Sequence, residues 1–328
     1  MSTYKELFGK YVQSLATDPP AVAEGQIWYN TTSNTFKTIL GAGAWSSGGT
    51  MNTARQALAG AGTKDDMIIA GGTPPTVAKA ETYNGTSWAN ITDFPSVLEK
   101  AGSTGATTSA ANIVGGDPGA KTSTQHWNGS GWTAGGSLSQ GRANFQGSGP
   151  HTAGIVLCGQ GSPNNTNCEK YNGTSWTAAG SLPTAVQVFG SSVAGTSGAA
   201  IGSGGYYDLR PSGGSEAQTA LTWSYDGSSW STVNSMNSTR YQAMGGGTQG
   251  SAYVAGYPTS PRGTTTEQWD GTSWTTGAAM AAARAVGASA AASGANATVA
   301  GGNNTAGARL ATSEEFTTPV GTQSITTS

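Results

Sequence analysis

The hexapeptide Tyr83-Asn84-Gly85-Thr86-Ser87-Trp88 is one of five copies of a motif in this chain of 328 residues. All five have an aromatic residue at each end and Asn-Gly or Asp-Gly after the first aromatic; the other four lie at residues 127–132 (WNGSGW), 171–176 (YNGTSW), 225–230 (YDGSSW) and 269–274 (WDGTSW). Asn-Gly or Asp-Gly between strand-forming residues is a strong signal for a β-hairpin whose central turn residues both have positive φ. Each motif therefore predicts the end of one strand, a tight turn and the start of the next strand.

The motif recurs with a regular period. Its closing tryptophans are separated by 44, 44, 54 and 44 residues, and a period near 44 is typical of repeats that each form a four-stranded propeller blade. A short apolar run ending in small residues occurs once per period and predicts another strand; these runs lie at residues 68–72, 113–116, 156–159, 200–202, 253–256 and 299–302. Six runs predict six blades in an all-β fold.

The two ends of the repeat region complement each other. The last repeat, from Arg284 to Phe316, lacks a strand that begins with tryptophan, whereas Trp45 precedes the first complete repeat. We therefore expect the strand of Trp45 to pair with the strand that ends at Phe316. This pairing would close the ring and remove an unpaired sheet edge.

These features resemble the kelch family: paired glycines, then Tyr or Trp, then Trp, recur in that order over about residues 41–318. The resemblance implies a six-bladed kelch-like β-propeller. The pattern is interrupted at several places, for example where Gln160 follows Gly159 in place of a second glycine.

Four arginines stand at equivalent positions before the first strand of a blade, and they are Arg55, Arg142, Arg240 and Arg284. Leu98 and Val186 take this position in the other two repeats. Each guanidinium could bind main-chain carbonyls and lock adjacent blades, because it carries five donors. Alternatively, the four could form a ring that binds anions, since kelch proteins use similarly placed arginines for acidic peptides.

The fourth repeat is ten residues longer than the others, and the excess lies between its second and third strands. This insertion contains Tyr206, Tyr207, Asp208 and Arg210, which are residue types common in recognition surfaces. It is either a neutral expansion or a binding loop. Strand alternation predicts that it shares a face with the arginine segments, so the two sets together form the candidate binding face.

The first forty residues lie outside the repeats. Apolar residues recur there at helical spacing and predict a short helix with one apolar stripe, formed by Tyr4, Leu7, Phe8, Tyr11, Val12 and Leu15. A hairpin is expected over residues 25–39. The helix is either a lid on the propeller or a docking and oligomerisation element, whose candidate anchor residues are Leu7, Phe8, Tyr11, Val12 and Leu15.

Residues 24–37 (EGQIWYNTTSNTFK) resemble a segment common in structural proteins of tailed bacteriophages, including fibres and tail appendages. The resemblance implies a virion protein that is made in the host cytoplasm. The N-terminus has no continuous apolar core typical of a signal peptide, in agreement with that expectation.

Composition argues against several functions. The net charge is -2 and only 10% of residues are charged, so we expect neither nucleic-acid binding nor membrane insertion. The two histidines, His126 and His151, belong to different repeats, and no cofactor, metal or catalytic motif is expected. Adjacent carboxylates such as Glu314 and Glu315 are interpreted as solvated loop charges.

The two cysteines leave a question open. Cys158 ends the second strand of the third repeat and Cys168 begins the third strand, so the sequence allows either a disulfide or two buried thiols.

The sequence thus predicts a non-enzymatic bacteriophage virion protein with an anchoring segment (1–40), a propeller (41–318) and a C-terminal tail (319–328). We expect it in the tail, in multiple copies, bound to other virion proteins through residues 1–40. The propeller would bind a virion partner, or a host-surface glycan or protein. The alternatives are a capsid decoration or head-fibre protein, and a cellular kelch-type interaction module or lectin-like carbohydrate binder.

Overall fold

The computed structural model describes residues 13–16, 27–32, 34–39, 43–160, 167–184, 186, 192–207, 217–257, 263–318 and 322–325. Within these residues the regular elements are all β-strands. The chain divides into two compact units, Met1–Ala44 with Thr317–Ser328, and Trp45–Phe316.

The first unit contains one four-stranded sheet. Its strands are β1 (Gln13–Leu15), β2 (Ile27–Asn30), β3 (Thr35–Ile39) and, from the other end of the chain, β30 (Thr322–Ile325), and they pair in the order β1-β2-β3-β30. Strands β2 and β3 form the hairpin predicted for residues 25–39. The segment predicted as a C-terminal tail (319–328) therefore contributes a strand to the N-terminal unit.

The predicted N-terminal helix is not supported. Leu15, assigned to its apolar stripe, lies in β1, which runs parallel to β2. The main-chain oxygen of Leu15 accepts a hydrogen bond from the Thr31 N–H (2.8 Å), so strand pairing satisfies it. A short helix without tertiary partners is only marginally stable. Tyr4, Leu7, Phe8, Tyr11 and Val12 lie outside the described residues.

The second unit contains six four-stranded sheets, each with its strands in the order first, second, third and fourth. The first three sheets consist of β5 (Ala59–Thr63), β6 (Asp66–Ala70), β7 (Ala80–Tyr83) and β8 (Trp88–Asn90); β9 (Gly102–Thr107), β10 (Ala110–Val114), β11 (Thr124–Trp127) and β12 (Trp132–Ala134); and β13 (Gln146–Ser148), β14 (Ile155–Leu157), β15 (Asn167–Tyr171) and β16 (Trp176–Ser181).

The fourth sheet consists of β17 (Ser192–Thr196), β18 (Ala199–Ser203), β21 (Thr222–Tyr225) and β22 (Trp230–Val233), with a small ribbon, β19 (Tyr206–Tyr207) and β20 (Ala217–Gln218), beside it in sequence. The fifth consists of β23 (Met244–Thr248), β24 (Ser251–Tyr257), β25 (Gly263–Trp269) and β26 (Trp274–Thr276). The sixth consists of β27 (Ala288–Ser293), β28 (Asn296–Ala300), β29 (Thr312–Thr317) and β4 (Ala44–Thr50).

The first strands of successive sheets adjoin one another in a closed cycle, and β27 of the sixth sheet returns to β5 of the first. This arrangement is propeller-like. The predicted closure is confirmed, because β4 pairs with β29 in the sixth sheet. The Trp45 and Phe316 rings lie 5.2 Å apart, so the two ends of the repeat region also pack together.

The repeated tryptophans connect the sheets. Each of these tryptophans lies at the start of the fourth strand of its sheet. Its indole N–H donates a hydrogen bond to an oxygen of the preceding sheet, or of the segment that follows that preceding sheet in the chain. The bonds are Trp88 to Gly49 (3.2 Å), Trp132 to Thr92 (2.9 Å), Trp176 to Thr124 (2.8 Å), Trp230 to Ala179 (3.0 Å), Trp274 to Thr222 (3.0 Å) and Trp45 to Ala278 (3.0 Å). The period of the tryptophans thus reflects one cross-sheet bond per sheet.

The turns of the motif differ from the two-residue turn expected. Tyr83 lies opposite Trp88, so four residues connect the strands. Only the glycine has a positive φ (84° at Gly85). The Asn84 side-chain oxygen instead accepts hydrogen bonds from the N–H groups of Thr86 (3.0 Å) and Ser87 (2.9 Å). Asn or Asp is required here because its side chain caps the turn.

Candidate binding face

The four arginines of the repeat are buried inside their sheets and each pairs with a buried glutamate. The relative exposures are 2% for Arg55, 0% for Arg142, 1% for Arg240 and 0% for Arg284. The pairs are Arg55 with Glu81 (2.5 Å), Arg142 with Glu169, Arg240 with Glu267 (2.9 Å) and Arg284 with Glu314 (2.7 Å).

Each guanidinium also binds two main-chain carbonyls of its own sheet. Arg142 donates through Nη1 to the oxygens of Cys158 (2.9 Å) and Asn167 (3.0 Å), which flank the connection between the second and third strands. Its partner Glu169 accepts the N–H of Ser139 (2.9 Å), in the segment that leads into the sheet. One ion pair therefore fixes three parts of the same sheet.

Adjacent sheets are joined at this level by the arginine main chain instead. The carbonyl oxygen of Arg142 accepts the N–H of Gly116 from the second sheet (2.8 Å), and that of Arg240 accepts the N–H of Gly205 from the fourth (2.8 Å). The expected locking of blades is present, but the guanidinium does not make it.

The four arginines consequently do not form an open anion-binding ring, and this part of the candidate binding face is corrected. Burial lowers the pKa of Arg55 and Arg284, and the paired glutamates oppose that shift. A buried charge is tolerated only when it is paired and hydrogen-bonded. Their role is internal. Glu314, interpreted from sequence as a solvated loop charge, is buried in one of these pairs.

The glutamates could have been found from sequence. Each stands two residues before the third-strand aromatic of a repeat that contains the arginine. Where Leu98 replaces the arginine, Gln125 replaces the glutamate, and where Val186 replaces it, Trp223 does so. Val186 and Trp223 belong to one buried apolar cluster. The arginine and the glutamate are thus kept or lost together.

A second set of polar contacts crosses from sheet to sheet. The residue before the third-strand aromatic reaches the tyrosine hydroxyl of the next sheet at three interfaces, namely Glu315 with Tyr83, His126 with Tyr171 (2.9 Å) and Lys170 with Tyr225 (3.5 Å). At the other three interfaces the next aromatic, Trp127, Trp269 or Phe316, has no hydroxyl. Glu315 also binds Lys64 (3.0 Å), so it too was wrongly interpreted as a solvated loop charge.

His126 is the most constrained of these groups. Its Nδ1 lies 2.5 Å from the side-chain oxygen of Asn112, and its Nε2 lies 2.9 Å from the Tyr171 hydroxyl. Burial, and to a lesser extent the nearby His151, lower the pKa of His126. A neutral ring that donates from Nδ1 and accepts at Nε2 satisfies both partners. The histidine therefore joins the second and third sheets.

The insertion residues are only partly described. Tyr206 lies in β19, and its ring packs against Tyr241 with centroids 5.2 Å apart. Tyr207 pairs with Ala217 through its main chain. Because Gly205 binds the Arg240 carbonyl, the base of the insertion and this arginine segment lie on the same face, as predicted. Asp208 and Arg210 lie outside the described residues.

Tyr257 is the last residue of β24 in the fifth sheet. The guanidinium of Arg240, the residue before Tyr241, lies 5.7 Å from the centroid of the Tyr257 ring. Tyr206, Tyr241 and Tyr257 are each partly exposed. We call these three residues the tyrosine cluster. Tyr206 belongs to the candidate binding face predicted from sequence, whereas Tyr241 and Tyr257 are additions that the structure makes to it.

A central cavity of about 450 Å³ lies between the first strands of the six sheets. Glycine, alanine, serine and threonine dominate its wall, and none of its lining residues is charged. Several wall hydroxyls are already used between sheets, since Ser103 donates to the Gly60 carbonyl (2.6 Å) and Ser289 to the Gly245 carbonyl (2.8 Å). The cavity therefore offers a small, neutral wall of main-chain and hydroxyl groups.

No group of three or more His, Cys, Asp or Glu side chains that could hold a metal ion occurs in the described part of the chain. Within the same residues, no helix is long and apolar enough to cross a membrane.

The comparisons with known proteins concern the fold. No family model and no curated protein matches the chain. Among solved structures, the chain is similar to that of YjhT, with a TM-score of 0.64 and 14% identity over 84% of this chain and 99% of that one. At this identity the likeness extends to the all-β, propeller-like architecture and no further.

Proposed function

We propose that this protein is a non-enzymatic structural protein of a bacteriophage virion, with a six-bladed kelch-like propeller that binds another molecule. The first unit would hold the protein on the particle, in the tail or on a tail-associated structure. The propeller would contact a second virion protein or the host surface. No nucleic acid, membrane or cofactor takes part in this proposal.

The division into two units is the observation that carries the proposal. The segment that resembles phage proteins, residues 24–37, falls within the first unit, whereas the six sheets form the second. The second unit closes with its own strand β4. A small sheet attached to a self-closing ring suits an anchor that presents a binding head.

The fate of the charged groups supports a binding role. The four arginines and their glutamates form buried ion pairs inside the sheets, and contacts of His126 and Lys170 join neighbouring sheets. These groups stabilise the fold and are not free for chemistry. The partly exposed tyrosine cluster retains the aromatic rings and hydroxyls that suit a recognition surface.

Quantitative mass spectrometry of purified particles tests the proposal. We expect the chain in purified virions at a low copy number relative to the major capsid protein. A copy number comparable with that of the major capsid protein would favour the alternative of a capsid decoration or head-fibre protein. Absence from particles, with the chain found in cells, would refute the virion role and favour a cellular interaction module or a lectin-like binder.

A further inference from the structure

Cys158 occupies a position that the other five sheets reserve for glycine. It follows the second strand of the third sheet and has a φ of 45°. The equivalent residues all have φ between 63° and 72°, and they are Gly71, Gly115, Gly204, Gly256 and Gly301. Left-handed backbone is unfavourable for residues with a Cβ atom and free for glycine.

Space also favours glycine here. A Cβ atom added to Gly115 would lie 2.7 Å from the Arg142 carbonyl oxygen, and one added to Gly301 would lie 2.6 Å from that of Arg55. A side chain at this position is therefore disfavoured by both conformation and packing. A residue with a Cβ atom at a strained position points to a role for its side chain.

The other cysteine of the chain is its neighbour. Cys168 lies in β15 directly opposite Leu157, the residue before Cys158. Both thiols are buried in one apolar cluster, and the Cys168 side chain contributes, after burial, to raising the pKa of the Cys158 thiol. The chain contains only these two cysteines. Equivalent third-strand positions in other sheets hold small residues without sulfur, such as Ala80, Thr124 and Thr222.

We propose that Cys158 and Cys168 form an oxidisable dithiol, which is reduced when the protein is made and closes into a disulfide on exposure to a small disulfide oxidant. The bridge would staple the second strand of the third sheet to the third strand, across the connection between them. Reducing cytoplasm keeps thiols reduced, whereas disulfides persist outside cells.

The reaction balances with oxidised glutathione as the oxidant. One cysteine thiolate attacks its disulfide bond, forms a mixed disulfide and releases one reduced glutathione. The second cysteine then attacks the mixed disulfide and releases another. Two protein thiols lose two hydrogens, one S–S bond forms, and the oxidant becomes two glutathione molecules.

Burial sets the rate of this closure. Burial, with the hydrogen bond to Cys168 adding to it, raises the pKa of the Cys158 thiol, so little thiolate is present in the closed sheet. Exchange must then follow local opening of the third sheet. The bridge would form slowly in the native protein, and faster when the chain refolds in the presence of the oxidant.

The test uses the full chain and two variants that restore residues found in other sheets, Cys158→Gly and Cys168→Thr. Each protein is unfolded, refolded with either oxidised glutathione or dithiothreitol, and measured by non-reducing mass spectrometry and thermal unfolding. We expect the oxidised wild type to be two hydrogens lighter and to melt about 5 °C or more above its reduced form. For each variant, the melting temperature after refolding with oxidised glutathione should equal that after refolding with dithiothreitol.

Cys158→Gly is the sharper control, because it removes the strain together with the thiol. We expect it to melt no lower than the reduced wild type. Two free thiols or only glutathione adducts in the refolded wild type would overturn the proposal, and so would a bridged protein that melts below the reduced one.

Discussion

Removing both partners of a buried ion pair should destabilise this fold by less than the sum of the two single removals. In the third sheet, Glu169→Gln leaves the Arg142 guanidinium, which is 0% exposed, without a counter-charge. An uncompensated buried charge costs about 3–5 kcal/mol. The Gln side chain can still accept the Ser139 N–H, so most of the expected loss comes from the arginine.

The double variant Arg142→Leu with Glu169→Gln reproduces the combination that the second sheet already carries at Leu98 and Gln125. It leaves two carbonyls without their donor, yet it removes the stranded charge. We expect the double variant to lower the free energy of unfolding by at least about 2 kcal/mol less than the summed losses of Glu169→Gln alone and Arg142→Leu alone.

Urea unfolding at fixed pH measures all three variants, provided that the m-values agree with that of the wild type. Asp93→Asn is the matched control, because Asp93 pairs with Lys79 at 2.9 Å while both side chains are about half exposed. It should cost less than about 1 kcal/mol. Additive costs in the double variant, or a Glu169→Gln cost as small as that of the control, would refute this account of the pairs.

Three further predictions concern the interfaces between sheets. Trp45→Ala should lower the free energy of unfolding by about 3 kcal/mol, measured by urea unfolding, because the ring that packs on Phe316 and the indole bond to Ala278 are lost; an unchanged midpoint would contradict the closure. Tyr83→Phe should lower the free energy of unfolding by about 1–2 kcal/mol in the same urea assay, because Glu315 loses its hydroxyl donor and the Gly49 N–H loses its acceptor; an unchanged midpoint would show that this contact between sheets does not stabilise the fold. Folding lowers the pKa of His126, so near its unfolded pKa of about 6.5 the unfolded chain binds more protons than the folded one. The free energy of unfolding should therefore fall as the pH drops through this value and be fully present above it. Melting temperatures at a series of pH values should give a flatter profile for His126→Gln than for the wild type, and parallel profiles would contradict this role of His126.

The periodic residues made most of the fold predictable. The hairpin motif placed the third and fourth strands, and the unmatched Trp45 placed β4 in the sixth sheet. These features could be predicted because they depend on the residues of the turns and on the number of repeated motifs, and both can be read from a single sequence. The second strand of the fourth sheet was placed slightly early, because the glycines that end it are Gly204 and Gly205 rather than Gly202.

The site was less accessible to sequence reasoning, because it depends on burial and pairing across strands. The arginines look like surface cations until Glu81 and its equivalents are seen opposite them inside the same sheet. Adjacent carboxylates point to opposite sides of a strand, so Glu314 joins the pair in its own sheet while Glu315 reaches Tyr83 of the next. Leu15 shows the converse, since helical spacing of apolar residues did not prevent it from pairing as a strand.

A fragment of residues 45–316 tests most directly whether the first unit attaches the protein to a particle while the ring of sheets folds independently. The fragment omits both segments of the first unit and keeps the tryptophan that closes the ring. Produced alongside assembling particles, it should remain soluble with a cooperative thermal transition and be missing from purified particles that contain the full chain. A folded fragment present in particles at the level of the full chain would contradict the role of the first unit, and an unfolded fragment would contradict the independence of the ring.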